Sequence, residues 1–524
     1  LLDSTETRVA ASLFVDPARQ AASAPAAGKT FNPLHPASCL GCVYVVSIIE
    51  QLAQVHNSTT KEALERLCNF LPEINYLCFA TFPFRIETEM NADMVCYSLK
   101  LCKQDAGQPR CLLYHTPKVS YPWLSEMTDI MKNNLPYEDF DGDKFSAFPT
   151  LRGYHWRGKD CNDGRPTVYP GRRTQKSFFF PNQGVDPKDG IPYEQKFCTE
   201  SKGVILLGDS AGARFHIPTE WMTAAQLSLK SFSNLPLAFT NELDWPQFSG
   251  TTGYLNSTIG GWTDSVYLRL YRRNRCNHRD FQNISKNGMF LLMDLSSRNL
   301  SKPLLNSLLD NPAIVIYAAI GNDVCNGKPD TVAHMTTPEQ MHSNVMQTLD
   351  YLNGHLPKGS HVILTGLVDG RFLWDQLHKR YHPLGQLNND ITYEQLYSFL
   401  SCLQANPCND WLSSNKTLRD LTSERALQLS NVLKEIARSK KYANFDIFYM
   451  DFPLVEIAEE WHSRGGEAWQ LIEPTDGFHP SQIASALGAR IFWQKALREW
   501  PHILGKENPF NKQIEDVFGD QGGY

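Results

Sequence analysis

The chain has 524 residues, room for about three domains of ordinary size or for one large α/β unit with a small companion. Its 42% apolar and 20% charged residues are the ordinary globular mix, which excludes wholesale disorder, collagen and coiled coil. With 50 Lys and Arg against 56 Asp and Glu, the net charge of −6 leaves no overall positive field for a polyanion, so no nucleic acid partner is expected. The longest apolar runs, Ala313 to Ile320 and Val204 to Leu207, fall far short of the ~18–20 residues that span a bilayer. The chain opens at Leu1, and Val9 to Val15 is too short and mixed for the apolar core of a signal peptide. A targeting segment is therefore expected to have been removed or left out.

Residues 1–36 are Ala-rich, without an apolar face, and read as a flexible leader. From Cys39 the texture changes. Val43, Val46, Ile49 and Leu52, then Leu64, Leu67 and Leu71, recur at helical spacing, and a third helix is expected to end near Leu101. Six cysteines punctuate these helices: Cys39, Cys42, Cys68, Cys78, Cys96 and Cys102. Two of them one helical turn apart at the start, answered by two near the end, can clamp the first and last helices together, while spacing alone leaves the pairing open. Residues 37–104 with this arrangement resemble a saposin B-type lipid-binding module.

The chain has 13 Cys and five Asn-x-Ser/Thr sequons, at Asn57, Asn256, Asn283, Asn299 and Asn415. Thiols at this density imply disulfides made in an oxidising compartment, and sequons become glycosylation sites only on that route, so a secreted or lysosomal location is expected.

Residues 105–200 are rich in Pro, Gly, Asp and Arg and read as linker and loop. Within them Asp139, Asp141 and Asp143 alternate, followed by Phe145. In a curled loop such alternate oxygens, ending on the Phe145 carbonyl, converge on one point and suit Ca²⁺. Asp160, Asn162 and Asp163 could complete the shell, or start a second site with Asp186 and Asp189; a solvated acidic turn is the plainer alternative.

From residue 201 to 524 an α/β rhythm sets in. Buried strands are expected at Val204 to Leu207, Val266 to Leu270, Ile314 to Ile320, Val362 to Leu367 and Phe445 to Met450. Helices are expected at Thr219 to Lys230, Pro338 to Leu352, Glu424 to Ser439 and Gln482 to Glu499. The alternation predicts a mostly parallel sheet flanked by helices. In such sheets reactive groups gather at the carboxyl ends of strands. After the first strand stands Gly208-Asp209-Ser210-Ala211-Gly212, which places a hydroxyl at a strand-to-helix turn. After a middle strand comes Gly321-Asn322-Asp323, and near the C-terminus Asp476-Gly477-Phe478-His479. A carboxylate three residues before an imidazole can fold back and fix the ring tautomer. Asp375-x-x-His378 offers the same spacing but falls on an expected helix and is the weaker choice.

Serine, asparagine and Asp-x-x-His in this order resemble the SGNH (GDSL-like) lipase and esterase superfamily. The resemblance implies Ser210 as nucleophile, His479 as base and Asp476 as its orienting acid. It also implies an oxyanion hole made by the Ser210 amide, the Asn322 carboxamide and a glycine amide after the second strand. Gly253 is preferred for the last over Gly250, Gly260 and Gly261.

A saposin module ahead of an SGNH hydrolase resembles the acyloxyacyl hydrolases, as do Phe148 to Arg157, Thr240 to Pro246 and Gly505 to Asn511. That family implies release of secondary fatty acyl chains from the lipid A of bacterial lipopolysaccharide, contact with membrane surfaces or micelles through the module, bound Ca²⁺ and cleavage into disulfide-linked subunits. Its pairing implies Cys39–Cys102, Cys42–Cys96, Cys68–Cys78, Cys111–Cys402, Cys198–Cys276 and Cys325–Cys408, with Cys161 left over. Arg152, Arg157, Arg172 and Arg173 are candidates for an anionic head group. Two other readings compete: a phospholipase or general lipid acyl esterase, and a saposin-type lipid carrier with an inactive hydrolase domain.

Overall fold

The computed structural model describes residues 34–70, 91–99, 101–102, 110–114, 185–233, 235, 238, 241–285, 310–325 and 332–520. Residues 1–33 of the leader, the proposed calcium loop, Cys78, Cys161, Asn299 and Arg152, Arg157, Arg172 and Arg173 lie outside them, whereas residues 34–36, expected as leader, already belong to the first helix.

Three helices open the described chain: α1 (Leu34–Val55), α2 (Thr60–Phe70) and α3 (Ala92–Ser98). Disulfides Cys39–Cys102 and Cys42–Cys96 tie the start of α1 to the end of α3, and Cys68 on α2 is also disulfide-bonded. Contrary to the bilayer expectation, α1 is apolar and long enough to span, with mean hydropathy 1.5 over Pro36–Val55. Hydropathy runs missed it because Ser, Gly and Gln interrupt the apolar letters without interrupting the helix. Of that span 61% is buried inside the molecule: Val43, Val46, Ile49 and Leu52 join the main hydrophobic core.

The catalytic-type domain is built on five parallel strands: β1 (Gly203–Gly208), β2 (Phe281–Asn283), β3 (Ala313–Ala318), β4 (Ser360–Thr365) and β5 (Phe445–Met450), in the order β2-β1-β3-β4-β5. Alternate residues feed opposite faces. Leu207, Val315, Tyr317, Val362 and Leu364 join one core cluster, covered by Met341, Val345 and Leu349 of helix Pro338–His355 and by Leu429, Leu433 and Ile436 of helix Lys416–Ser439. Val204, Leu206, Ile314, Ile316 and Ile363 pack on the other face, against helices Val266–Arg273 and Gln482–Glu499. The helix at Pro338 starts on the expected capping box, Thr337 and Gln340 bonding reciprocally.

Two local expectations are corrected. Val266 to Leu270 is helix, not strand. The Ser265 hydroxyl caps it by accepting from Leu268 N, and Val266, Tyr267, Leu270 and Tyr271 form its buried face while the arginines stay outside. The strand that pairs there is Phe281–Asn283, too short and polar to announce itself. Thr219 to Lys230 is not one helix but two single 3₁₀ turns, Thr219–Met222 and Ala224–Gln226, separated by extended Thr223.

The helical module is docked on the hydrolase. Cys111–Cys402 joins them covalently, and Cys198–Cys276 and Cys325–Cys408 brace the larger domain. Gln51 of α1 donates to Leu384 O. Asp93 Oδ2 accepts from Leu113 N and Tyr114 N at 2.9 and 2.7 Å, and the Tyr114 hydroxyl donates to Ser47 Oγ at 2.7 Å. Carboxylates crowd this junction. Burial, then Asp93 and Asp390, pushes Glu50 from its ordinary 4.5 up to about 7; burial, against two backbone donors, pushes Asp93 up to about 6.

A folded pKa above the unfolded one means that the folded state keeps a proton the unfolded chain releases. Stability from Glu50 is full below its ordinary pKa and is lost as pH rises through about 7. Glu50→Gln should therefore raise the thermal midpoint by a few degrees at alkaline pH and leave it unchanged at acid pH. Equal shifts at both pH values in scanning calorimetry would contradict this.

Candidate active site

Ser210 opens the single-turn helix Ser210–Ala213 immediately after β1, and Asp209 caps it by accepting from Ala211 N at 3.0 Å. As first residue of a helix, Ser210 has an N–H without an intrahelical acceptor. The second oxygen of Asp209 accepts from Ile320 N at 2.9 Å, beyond the end of β3. One buried carboxylate thus locks the serine turn to the Gly321-Asn322 loop. Burial raises the Asp209 pKa, and the Ile320 and Ala211 amides oppose that rise.

The Asp476–His479 turn approaches from the other side. Gly477, at φ +62°, adopts the left-handed backbone that closes it. The Asp476 carboxylate folds back to accept from Phe478 N and His479 N, at 2.8 and 3.1 Å, and from His479 Nδ1 at 2.6 Å. His479 Nε2 meets Ser210 Oγ at 2.7 Å. Phe215 and Phe478 flank the imidazole, with centroids 4.7 and 4.9 Å away. Burial works to lower the His479 pKa, but the Asp476 charge and hydrogen bond outweigh it and the net direction is up. Burial would raise Asp476, yet the imidazole and two amides hold its carboxyl below the usual range. Ser210 and His479 are buried, at 5% and 8% exposure.

Around Ser210 lies a cleft continuous with solvent. Asn322 lines it beside Asp209 and Ser210, while Ile320, Val368, Phe372, Leu373, Ile457 and Phe492 make its walls predominantly apolar.

Gly253 does not reach this cleft. It precedes helix Val266–Arg273 instead of following a strand, and its N–H is donated to Ser249 O at 2.7 Å. A Cβ there would sit 2.4 Å from Ser249 O, so glycine is required by the turn and not by a ligand. Gly250 does line the cleft, with its amide donated to Ser485 Oγ at 2.9 Å. Asn283 is no glycan acceptor in this fold: it is 1% exposed, and its amide donates to Gly212 O and Thr252 Oγ1. Asn57, Asn256 and Asn415 are exposed. His378 lies outside the cleft, its Nδ1 donating to Trp374 O at 2.7 Å.

Sequence reading missed the support beneath His479. Glu473, buried, accepts from Arg214 Nη2 at 2.6 Å and from His216 Nδ1 at 2.8 Å. His382 Nε2 donates to Thr475 O at 2.8 Å, and burial pushes its pKa down to about 4. No spacing marks these residues, because their partners lie 93 to 259 positions away.

Potential metal ligands fare differently. Asp186 and Asp189 flank Lys196 Nζ, 2.6 Å from the Asp189 carboxylate, so an ammonium, and not a second calcium ion, neutralises this pair. His361, Asp446 and His502 cluster at the amino end of the strands, but Lys202 Nζ, 2.9 Å from His361 Nε2, already brings positive charge there.

A family description of saposin-like domains matches residues 38–139, and one of GDSL-like lipases/acylhydrolases matches residues 204–491. The chain is 57% identical to the acyloxyacyl hydrolase of Homo sapiens over 93% of both chains. It is 56% identical to that of Mus musculus over 94% of both, and 55% identical to that of Oryctolagus cuniculus over 93% of both. This chain belongs to the acyloxyacyl hydrolase family. It is a saposin-containing GDSL-type esterase that acts on acylated lipids, of the secretory pathway.

Gly477→Ala tests the turn. A Cβ would lie 2.5 Å from the Tyr397 hydroxyl and 2.8 Å from the Tyr393 ring, on top of backbone strain of about 1–3 kcal/mol. The variant should lose several degrees of thermal stability and at least about tenfold in kcat. Wild-type turnover of a chromogenic ester would rule out the turn's role.

Proposed function

We propose that the enzyme hydrolyses the secondary acyl esters of lipopolysaccharide lipid A, with Ser210, His479 and Asp476 as the catalytic triad. One observation carries the reading: the continuous Ser210–His479–Asp476 hydrogen-bond chain, at 2.7 and 2.6 Å, opens onto a cleft with apolar walls. The relatives named as acyloxyacyl hydrolases support the choice of ester.

Ser210 Oγ attacks the ester carbonyl as its proton passes to His479 Nε2. Asp476 keeps the proton on Nδ1 and stabilises the imidazolium. Negative charge on the former carbonyl oxygen is met by the Ser210 amide and the Asn322 carboxamide, donors held in place by Asp209. The ester C–O bond then breaks, and the imidazolium returns the proton to the departing hydroxyl of the acyl chain that carried the ester. Water, deprotonated by the same imidazole, releases the fatty acid from the serine. The apolar walls favour a fatty acyl chain, because burying each CH₂ is worth about 0.8 kcal/mol.

Ser210→Ala should remain folded and release no fatty acid from purified lipopolysaccharide. Asn322→Ala should lose about 10²–10³ in kcat. The base must be neutral, and His479 titrates above the ordinary histidine value, so kcat/KM should rise with pH through a midpoint above that of a free histidine. Turnover by Ser210→Ala would refute the assignment. Faster release from phospholipid vesicles than from lipopolysaccharide would favour a general lipid esterase.

Ca²⁺ is proposed as a structural ion held by Asp139, Asp141, Asp143 and the Phe145 carbonyl, with Asp160, Asn162 and Asp163, on the strength of the oxygen spacing. Adding calcium after chelation should raise the thermal midpoint, and Asp141→Asn should abolish that rise. Delivery from secretion or from lysosomes, contact of the saposin module with lipid surfaces, and disulfide-linked subunits after cleavage belong to the same proposal.

A further inference from the structure

We infer that Arg214 and Glu473 form a positioning clamp that joins the serine turn to the acid–base turn and holds His479 against Ser210. The clamp rests on the triad reading above.

Arg214 directly follows the serine helix, at φ +63° and ψ +54°. A non-glycine residue rarely adopts this left-handed conformation and is held in it only by surrounding contacts. Its guanidinium supplies those contacts. Nε donates to Gln482 Oε1 at 2.7 Å, Nη1 to Pro480 O at 3.0 Å and Phe215 O at 3.2 Å, and Nη2 to Glu473 Oε1 at 2.6 Å. Pro480 is the residue after His479, and Glu473 N donates to His479 O at 2.8 Å. The clamp therefore grips the base from both sides along its backbone.

A third segment is bound as well. Gln482 Nε2 donates to Phe248 O and Trp262 O at 3.0 and 3.1 Å, next to Ser249 and Gly250 of the cleft. His216 completes the set through Glu473 Oε2. Arg214 and Glu473 side chains are 2% and 3% exposed. A buried ion pair contributes little net stability because desolvation offsets attraction. What a five-donor planar fork does supply is geometry that a lysine point charge cannot reproduce.

The charged groups around His479 are Asp476, Asp209 and Glu473, with Arg214 behind Glu473; Phe215 and Phe478 close the remaining sides. Glu473 is therefore also one of the charges that favour the imidazolium.

The test uses the full chain, with reactive serines counted by a fluorophosphonate burst and turnover measured on a soluble nitrophenyl ester. Glu473→Gln should lower kcat per titrated serine by about 10²-fold, as a misplaced catalytic group does, with KM almost unchanged and the acid limb of the pH profile moved down. Arg214→Lys should not restore the fork and should show the same loss. Gln482→Met removes the Arg214 Nε acceptor and the two bonds to Phe248 O and Trp262 O while keeping the ion pair, and should give a smaller loss, about tenfold, with the same KM. A wild-type kcat per titrated serine and an unmoved acid limb in Glu473→Gln and Gln482→Met, even with a lowered thermal midpoint, would reduce the clamp to a structural brace and overturn it. Ester hydrolysis surviving in Ser210→Ala would overturn the triad reading itself, and the clamp with it.

Discussion

A 2.7 Å hydrogen bond joins Ser210 Oγ to His479 Nε2 across 269 residues of chain, and the rest of the domain can be understood as what keeps that distance. Neither residue is rigid alone. The serine stands on one helical turn, and the histidine stands in a loop between a 3₁₀ segment and helix Gln482–Glu499. Precision comes from the sheet, whose parallel register brings the carboxyl ends of β1 and β3 side by side, and from polar groups that tie the loops together where apolar packing cannot specify direction.

Those ties are carboxylates used as backbone acceptors. Asp209 spans the serine and asparagine loops, and Asp476 gathers its own turn and the imidazole. Each is a charge taken out of water, and each is made tolerable by donors aimed at it. The same economy explains the glycine at 477, where any Cβ would strike the tyrosines that brace the turn. At the junction with the saposin-like module the compensation is less complete. Glu50 and Asp93 take up protons there, which links docking of the module to pH.

The helical module is also more than an appendage. Its first helix contributes Val43, Val46, Ile49 and Leu52 to the same core that covers one face of the sheet, and Cys111–Cys402 fastens the contact. An apolar helix that by composition could enter a bilayer is largely buried inside the molecule.

Much of this was legible in the one-dimensional order of residues. Strand-to-helix alternation, the cysteine spacing and the three motifs at 208–212, 321–323 and 476–479 announce a parallel sheet, a stapled helical module and a serine esterase, because periodicity and turn chemistry are local properties. Their limits are local too. Val266 to Leu270 has an apolar pattern that serves strand and helix alike, and only the Ser265 cap and a buried helical face decide between them. Gly253 had the right residue type in the right neighbourhood, yet its amide is consumed by Ser249 O. Asn283 has an acceptor motif but is buried in hydrogen bonds. Arg214, Glu473 and Gln482 carry no motif at all. Burial and hydrogen-bond partnership are set by residues hundreds of positions apart, so the order of residues determined which chemistry is present, and the tertiary structure alone decided which groups are free to perform it.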